Sequence, residues 1–165
     1  MDEVSVRPVE AAEVETFLDC FERYWDELET FHDYPDPFSR DEYRRHMLQS
    51  RGPFGERLFW WIELDGQPAG FCVFTLGPHW YRQDVRDGYV DEFYIDPAFR
   101  RGHVGTAAAR AMLSEFRRRG VRQVELSVLP RNSRARAFWT GLGFGVEMLR
   151  MALPCDEPPS EAASP

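Results

Sequence analysis

"YVDEFYIDPAFRRGHVGTAAARAM", residues 89–112, decides how this chain folds. An apolar, aromatic run from Tyr89 to Ile95 ends at Asp96-Pro97. Two arginines and two glycines follow, and then an alanine-rich segment. Ala109, Met112, Leu113 and Phe116 share one face of a helix expected from about Val104 to Arg119, stopped by Gly120. A strand and a helix thus meet at a joint made of small residues and cations.

That joint has a chemical reading and a plain one. A helix start leaves backbone N–H groups without partners, and the helix dipole favours negative charge there. Glycine lets a ligand come close to the main chain. The turn from Arg100 to Gly105 reads as a cradle for a diphosphate, or as a simple tight turn. A P-loop is excluded in its usual form because no Gly-Lys-Ser/Thr follows. The glycine spacing also fits a dinucleotide fingerprint poorly, and no βαβ unit opens the chain.

Working outward, "VSVRPV" (4–9) alternates as a first strand. From Ala11 to about Glu29, Val14, Phe17, Leu18, Phe21, Trp25 and Leu28 mark an amphipathic helix. Ser39 followed by Glu42 fits a capping box that opens a second helix to about Gln49. "RLFWWIELDGQPAGFCVFTL" reads as a hairpin turning at Asp65-Gly66. Residues 77–88 read as a loop, "VRQVELSVL" as a strand, "NSRARAFWTGLG" as a short helix and "GFGVEMLRMAL" as a final strand. The order predicts a mixed α/β (α+β) fold, a single domain over 1–153, with 154–165 as a disordered tail.

Composition removes several function classes. The 165 residues are 43% hydrophobic and 15% aromatic, as expected of a globular domain. No apolar run approaches a membrane span, and the acidic N-terminus does not resemble a signal peptide, so no membrane partner is expected and the location reads as cytoplasmic. Cys20, Cys72 and Cys155 are odd in number and lack metal-ligand spacing, so buried thiols and no metal are expected. All 20 basic residues are arginine, which reads as the coding bias of a GC-rich, bacterial genome. The net charge of −8 sits in residues 10–36, with ten acids and one arginine, and the remaining chain is close to neutral. No basic face remains for nucleic acid. The acidic stretch reads as a field for a cationic ligand or as a solvated helix face.

A second segment adds to the joint. "LPRNSRARAFWTGLGF" (129–144) places Asn132 at a helix start, Ala135 one turn in, the pair Phe138-Trp139, and Gly143-Phe144 beyond the helix. Together the two segments resemble the acetyl-CoA-binding core of the GNAT superfamily of N-acetyltransferases. The match runs from about Tyr89 to Phe144. The resemblance implies the GNAT acyl-CoA N-acyltransferase fold, a central, mostly antiparallel, splayed sheet flanked by helices. It implies that Gly102, His103, Val104, Gly105 and Thr106 hold the pyrophosphate with their amides, flanked by Arg100 and Arg101. Phe93, Tyr94 and Ile95 would face the pantetheine arm, with Asn132, Ala135, Phe138 and Trp139 on its other side. His103 stands where the family pattern has a glycine, which the cradle accommodates if position 103 keeps a negative φ. Trp139 stands where many members have a tyrosine proposed as general acid. An indole is no proton source near neutral pH, so Tyr94 or Tyr89 would serve, or the thiolate leaves unprotonated.

Acetylating an amine needs a base, since a primary amine of pKa ~10 is protonated at neutral pH. Asp91 and Glu92 are the candidates. Alternation puts Asp91 on the face of Phe93 and Ile95 with Glu92 opposite, and members with such a pair are proposed to use the first; a bulge would shift the facing, which keeps Glu92 a candidate. Trp25, Glu29, Tyr34, Trp80, Tyr81 and Asp91 are the expected acceptor contacts, because carboxylates and aromatic faces suit an ammonium group. Two functions stay open: acetyl transfer from acetyl-CoA to a cationic amine (a polyamine, an aminoglycoside-like compound or a protein amine) by direct attack, or an inactive acetyl-CoA-binding module. The resemblance leaves a homodimer open.

Overall fold

In the computed structural model, residues 3–31, 39–49, 51–52, 55–100 and 102–151 are described. Strand β1 (Val4–Pro8) leads through a 3₁₀ turn (Ala11–Glu13) into α1 (Val14–Glu29) and α2 (Arg40–Met47). The two-residue β2 (Arg51–Gly52), β3 (Gly55–Leu64), β4 (Gln67–Pro78) and β5 (Arg86–Ile95) follow. Then come α3 (Val104–Arg118), β6 (Val121–Leu126) and α4 (Ser133–Gly141).

The strands form one sheet in the order β1-β3-β4-β5-β6, with β2 added to β3. All pairs are antiparallel except β5 with β6, which is parallel. The β3–β4 turn is tight because Asp65 (φ 50°) and Gly66 (φ 75°) both take the left-handed conformation that primed hairpin turns require.

Strand β4 is buried along its whole middle, Ala69 to Gly77, because helices cover both faces of the sheet. One face packs Cys72, Phe74, Leu76 and Val90 against Ala108, Met112 and Phe116 of α3 and Trp139 of α4. The other packs Trp61, Phe71 and Val73 against Phe17, Phe21 and Trp25 of α1. The stripe read from α1 therefore faces the sheet, and its acids face away.

Two boundaries differ from the sequence reading. The expected loop at 77–88 shrinks to 79–85, because Pro78 pairs with Arg86 and His79 N–H donates to the Val85 carbonyl at 2.8 Å. The final strand expected in 143–153 is not formed among the described residues. Segment 144–151 pairs with no strand there, so Val146, Met148, Leu149 and Met151 stay exposed. No helix among the described residues is long and apolar enough to cross a membrane. Cys20 and Cys72 are buried thiols; Cys155 and the 154–165 tail lie outside the described residues.

Candidate active site

The site is organised by one irregularity in β5. Val73 of β4 pairs with Glu92, but the next residue, Phe74, pairs with Val90. Asp91 is thus an extra residue, a β-bulge. Val90 packs on the α3 side, Glu92 meets the α1 side, and Phe93 and Ile95 return to the α3 side. Asp91 accepts a hydrogen bond from Thr75 Oγ1 at 2.6 Å and shares the α1 side with Glu92. The strict alternation expected at Asp91 is therefore overturned: both acids face the same way, away from Phe93 and Ile95.

Glu92 is only 8% exposed. Tyr24 of α1 donates to its Oε2 and Tyr43 of α2 donates to its Oε1. Burial raises its pKa to about 7, against the two phenol hydrogen bonds and Arg57, which favour the anion. Burial also pushes Asp91 up, opposed by the Thr75 hydrogen bond. Arg57 of β3 lies buried beneath the acids and donates to the His46 carbonyl at 2.6 Å.

At the acids the sheet splits. The last register pair between β5 and β6 is Val90 with Leu126, so β5 from Asp91 onward runs without β6 beside it. Tyr89 lies at the start of this split, its hydroxyl donating to Ser127 Oγ at 2.7 Å. Tyr94 lies buried on the acid side, its ring centroid 5.6 Å from that of Tyr24, and burial raises its pKa.

At the joint ahead of α3, His103 is the N-cap residue with φ −83°, and its side chain makes no capping hydrogen bond to the helix. Gly102 is exposed. The buried Val104 anchors this turn in the core, with Gly105 and Thr106 next in the helix. A Cβ on Gly105 would sit 3.5 Å from Phe138 and 3.6 Å from Ile95. Across the split, Asn132 caps α4 by accepting from Ala135 N–H at 3.0 Å, which is the physical sense of the Asn-x-x-Ala spacing. Phe138 stacks on Phe93, and Trp139 is buried edge-on against Phe93, Phe138 and Phe144.

Several expected contacts go elsewhere. Arg100, expected beside a diphosphate, turns to α1: its Nη2 lies 2.5 Å from Glu27 Oε2 and its Nε donates to the Ile95 carbonyl at 2.7 Å. Glu27 also receives Arg134 of α4. The acidic face of α1 is answered by distant arginines, since Arg40 meets Glu29 (2.9 Å), Asp26 (2.8 Å) and Glu22 (3.3 Å). The expected cation-attracting field is largely paired. Trp25 is 4% exposed and packs edge-on against Tyr43, so it is core rather than a surface for a ligand. Trp80 (83% exposed) and Tyr81 follow Pro78, and Val73, opposite Glu92, lies roughly 17 Å back along β4, so they are not gathered with the acids. Arg101 and Tyr34 lie outside the described residues.

Sequence reasoning missed Tyr24, Tyr43, Thr75 and Arg57. Only Tyr24 carried a signal, as a polar-tipped aromatic in the register of Phe17, Phe21 and Leu28.

Residues 17–144 match the model of the Acetyltransferase (GNAT) family, from α1 to the end of α4 and just beyond. The chain belongs to that family. Relatives of this GNAT protein include an uncharacterised N-acetyltransferase of Methanocaldococcus jannaschii, 33% identical over 88 residues. That match takes in 52% of this chain and 38% of the relative, so the chain spans about two fifths of the relative's length. Among solved structures, the ribosomal-protein-alanine N-acetyltransferase of Brucella melitensis biovar Abortus superposes with a TM-score of 0.68 at 16% identity, covering 92% of this chain and 99% of that one. A soil-metagenome aminoglycoside acetyltransferase in complex with sisomicin gives 0.66 at 10% identity, over 93% and 97% of the two chains. Such identities speak to the fold, which is the one expected.

Proposed function

We propose that this chain is an acetyl-CoA-dependent N-acetyltransferase that acetylates a primary amine by direct attack, with Glu92 as base. The observation that carries this is the bulge: it turns the buried Glu92 and the half-buried Asp91 onto one face where β5 parts from β6. Acetyltransferases of this family use acetyl-CoA as co-substrate. The residues present suit it. The α3 start supplies main-chain N–H groups at Gly102 to Thr106 for a diphosphate, and Gly105 leaves room beside Phe138 and Ile95. Phe93 and Tyr94 border the split on one side, Asn132 and Ala135 on the other. When bound, acetyl-CoA supplies the thioester carbon as the electrophile.

Glu92 then takes the ammonium proton. With a pKa near 7 it is partly ionised at neutral pH and close to the pH at which it works. Asp91, held by Thr75, is the second carboxyl group on the face of the amine. Tyr94, on the acid side, is the candidate proton donor to the departing sulfur. Cys20 and Cys72 take no part: both are buried, and burial pushes the Cys72 thiol up to about 12. The acceptor is a cationic amine drawn by Asp91 and Glu92 rather than by the acids of α1, which are largely paired.

A second reading is a binding module without turnover. Trp139, packed in the core with no phenol in its place, favours it. Thiol release from acetyl-CoA over a panel of polyamines, aminoglycosides and amine-bearing peptides separates the two, with Asp91→Ala and Glu92→Ala as controls. Amine-dependent release lost in Glu92→Ala supports the enzyme. No release by any amine, with acetyl-CoA still raising the melting temperature, supports the module.

A further inference from the structure

Both oxygens of Glu92 are taken by phenols, and the phenols come from different helices, Tyr24 of α1 and Tyr43 of α2. The carboxylate is buried, and each tyrosine is partly exposed. Both rings are fixed by aromatic packing: Tyr24 lies against Phe21, Phe71 and Tyr94, and Tyr43 against Phe21 and Trp25. We propose that Tyr24 and Tyr43 are positioning residues for the proton transfer, holding Glu92 in its ionised form and tying its basicity to the seating of α1 and α2 on the sheet. This rests on the reading of Glu92 as the base.

The choice of donor follows from the task. A buried carboxylate needs hydrogen bonds in place of water, or it stays protonated and cannot act as a base. A guanidinium bonded to both oxygens would hold the anion too firmly to accept a proton. A neutral phenol lies between these extremes, and here it remains a donor throughout the working range, because burial and the charge of Glu92 both raise its own pKa. The other charged or titratable groups facing Glu92 and its partners are Asp91 of β5, Arg57 of β3, and His46 of α2, with Glu27 of α1 beside Tyr24.

The test replaces one hydroxyl at a time, Tyr24→Phe and Tyr43→Phe, which keeps the rings and their packing. The titration of Glu92 is followed by NMR of carbon-13-labelled glutamate carboxyls, assigned through Glu92→Gln. Each variant is expected to raise the titration midpoint of Glu92 by about one pH unit, and the acid limb of turnover should move with it. Midpoints within a few tenths of wild type in both folded variants would overturn the proposal. Failure of the base reading looks different: Glu92→Gln would then retain turnover, whatever the tyrosine variants do to the midpoint.

Discussion

Arg100 closes onto Glu27, with Nη2 2.5 Å from Oε2, and Arg134 reaches the same carboxylate from α4. One acid of α1 thus meets cations on both sides of the cleft where a diphosphate is proposed to bind. Removing its charge frees both arginines and deletes a like charge near an anionic ligand. Glu27→Gln is expected to tighten coenzyme A several-fold by calorimetry and to steepen its salt dependence. Weaker binding would mean that Glu27 orders Arg100 for the ligand.

The pH dependence of stability should carry the mark of Glu92. Its folded pKa is about 7, above the ordinary 4.5, so the folded chain holds this proton more tightly than the unfolded one. The stability from that proton is fully present below about pH 4.5 and is lost as pH rises through about 7. Relative to Glu92→Gln, the wild type should lose on the order of 3 kcal/mol between about pH 5 and about pH 8. Urea denaturation at both ends measures it. A pH-independent difference would remove Glu92 from the titration.

Turnover should rise through the same range. With saturating acetyl-CoA and amine, the rate is expected to climb to a plateau above about pH 7, and Glu92→Gln to lose it by 10²-fold or more. Asp91→Asn should weaken amine binding and keep the acid limb.

Gly105 gives a graded test of the cradle. A single methyl meets Phe138 and Ile95 at ordinary contact, 3.5 and 3.6 Å, so Gly105→Ala should fold and still bind coenzyme A. Gly105→Val pushes branched carbons into that space. It should abolish coenzyme binding in calorimetry while circular dichroism stays native. Unchanged affinity in the valine variant would place the diphosphate elsewhere.

Asn132 tests a structural role at a ligand position. Its side chain caps α4, so Asn132→Ala should cost about 1 kcal/mol and lower Tm by roughly 2–4 °C. Restoration by Asn132→Asp, an equally good cap, would assign the residue to the helix; a loss of coenzyme affinity in both variants would assign it to the cleft as well.

Local chemistry made much of the fold legible. Asp65-Gly66, Ser39, Asn132 and Gly120 each mark a boundary through a turn or cap requirement that acts within four residues. Relations across distance did not show. Tyr24 and Tyr43 are 68 and 49 residues from Glu92, and Arg40 answers acids 11 to 18 residues away. Nothing in the α1 sequence says its charges will be met. The 143–153 segment looked like a strand because its apolar residues alternate, but alternation does not provide a neighbour to pair with.

The extra residue at Asp91 also governs how this strand may be compared with others. Counting along it from Tyr89 without a gap pairs core positions with cleft positions from Glu92 onward. In a homologue lacking the insertion, the residue that ungapped counting matches to Glu92 would face the α3 side. Matching such chains by structure, with a one-residue offset there, is what tells a retained acid from a coincidental one.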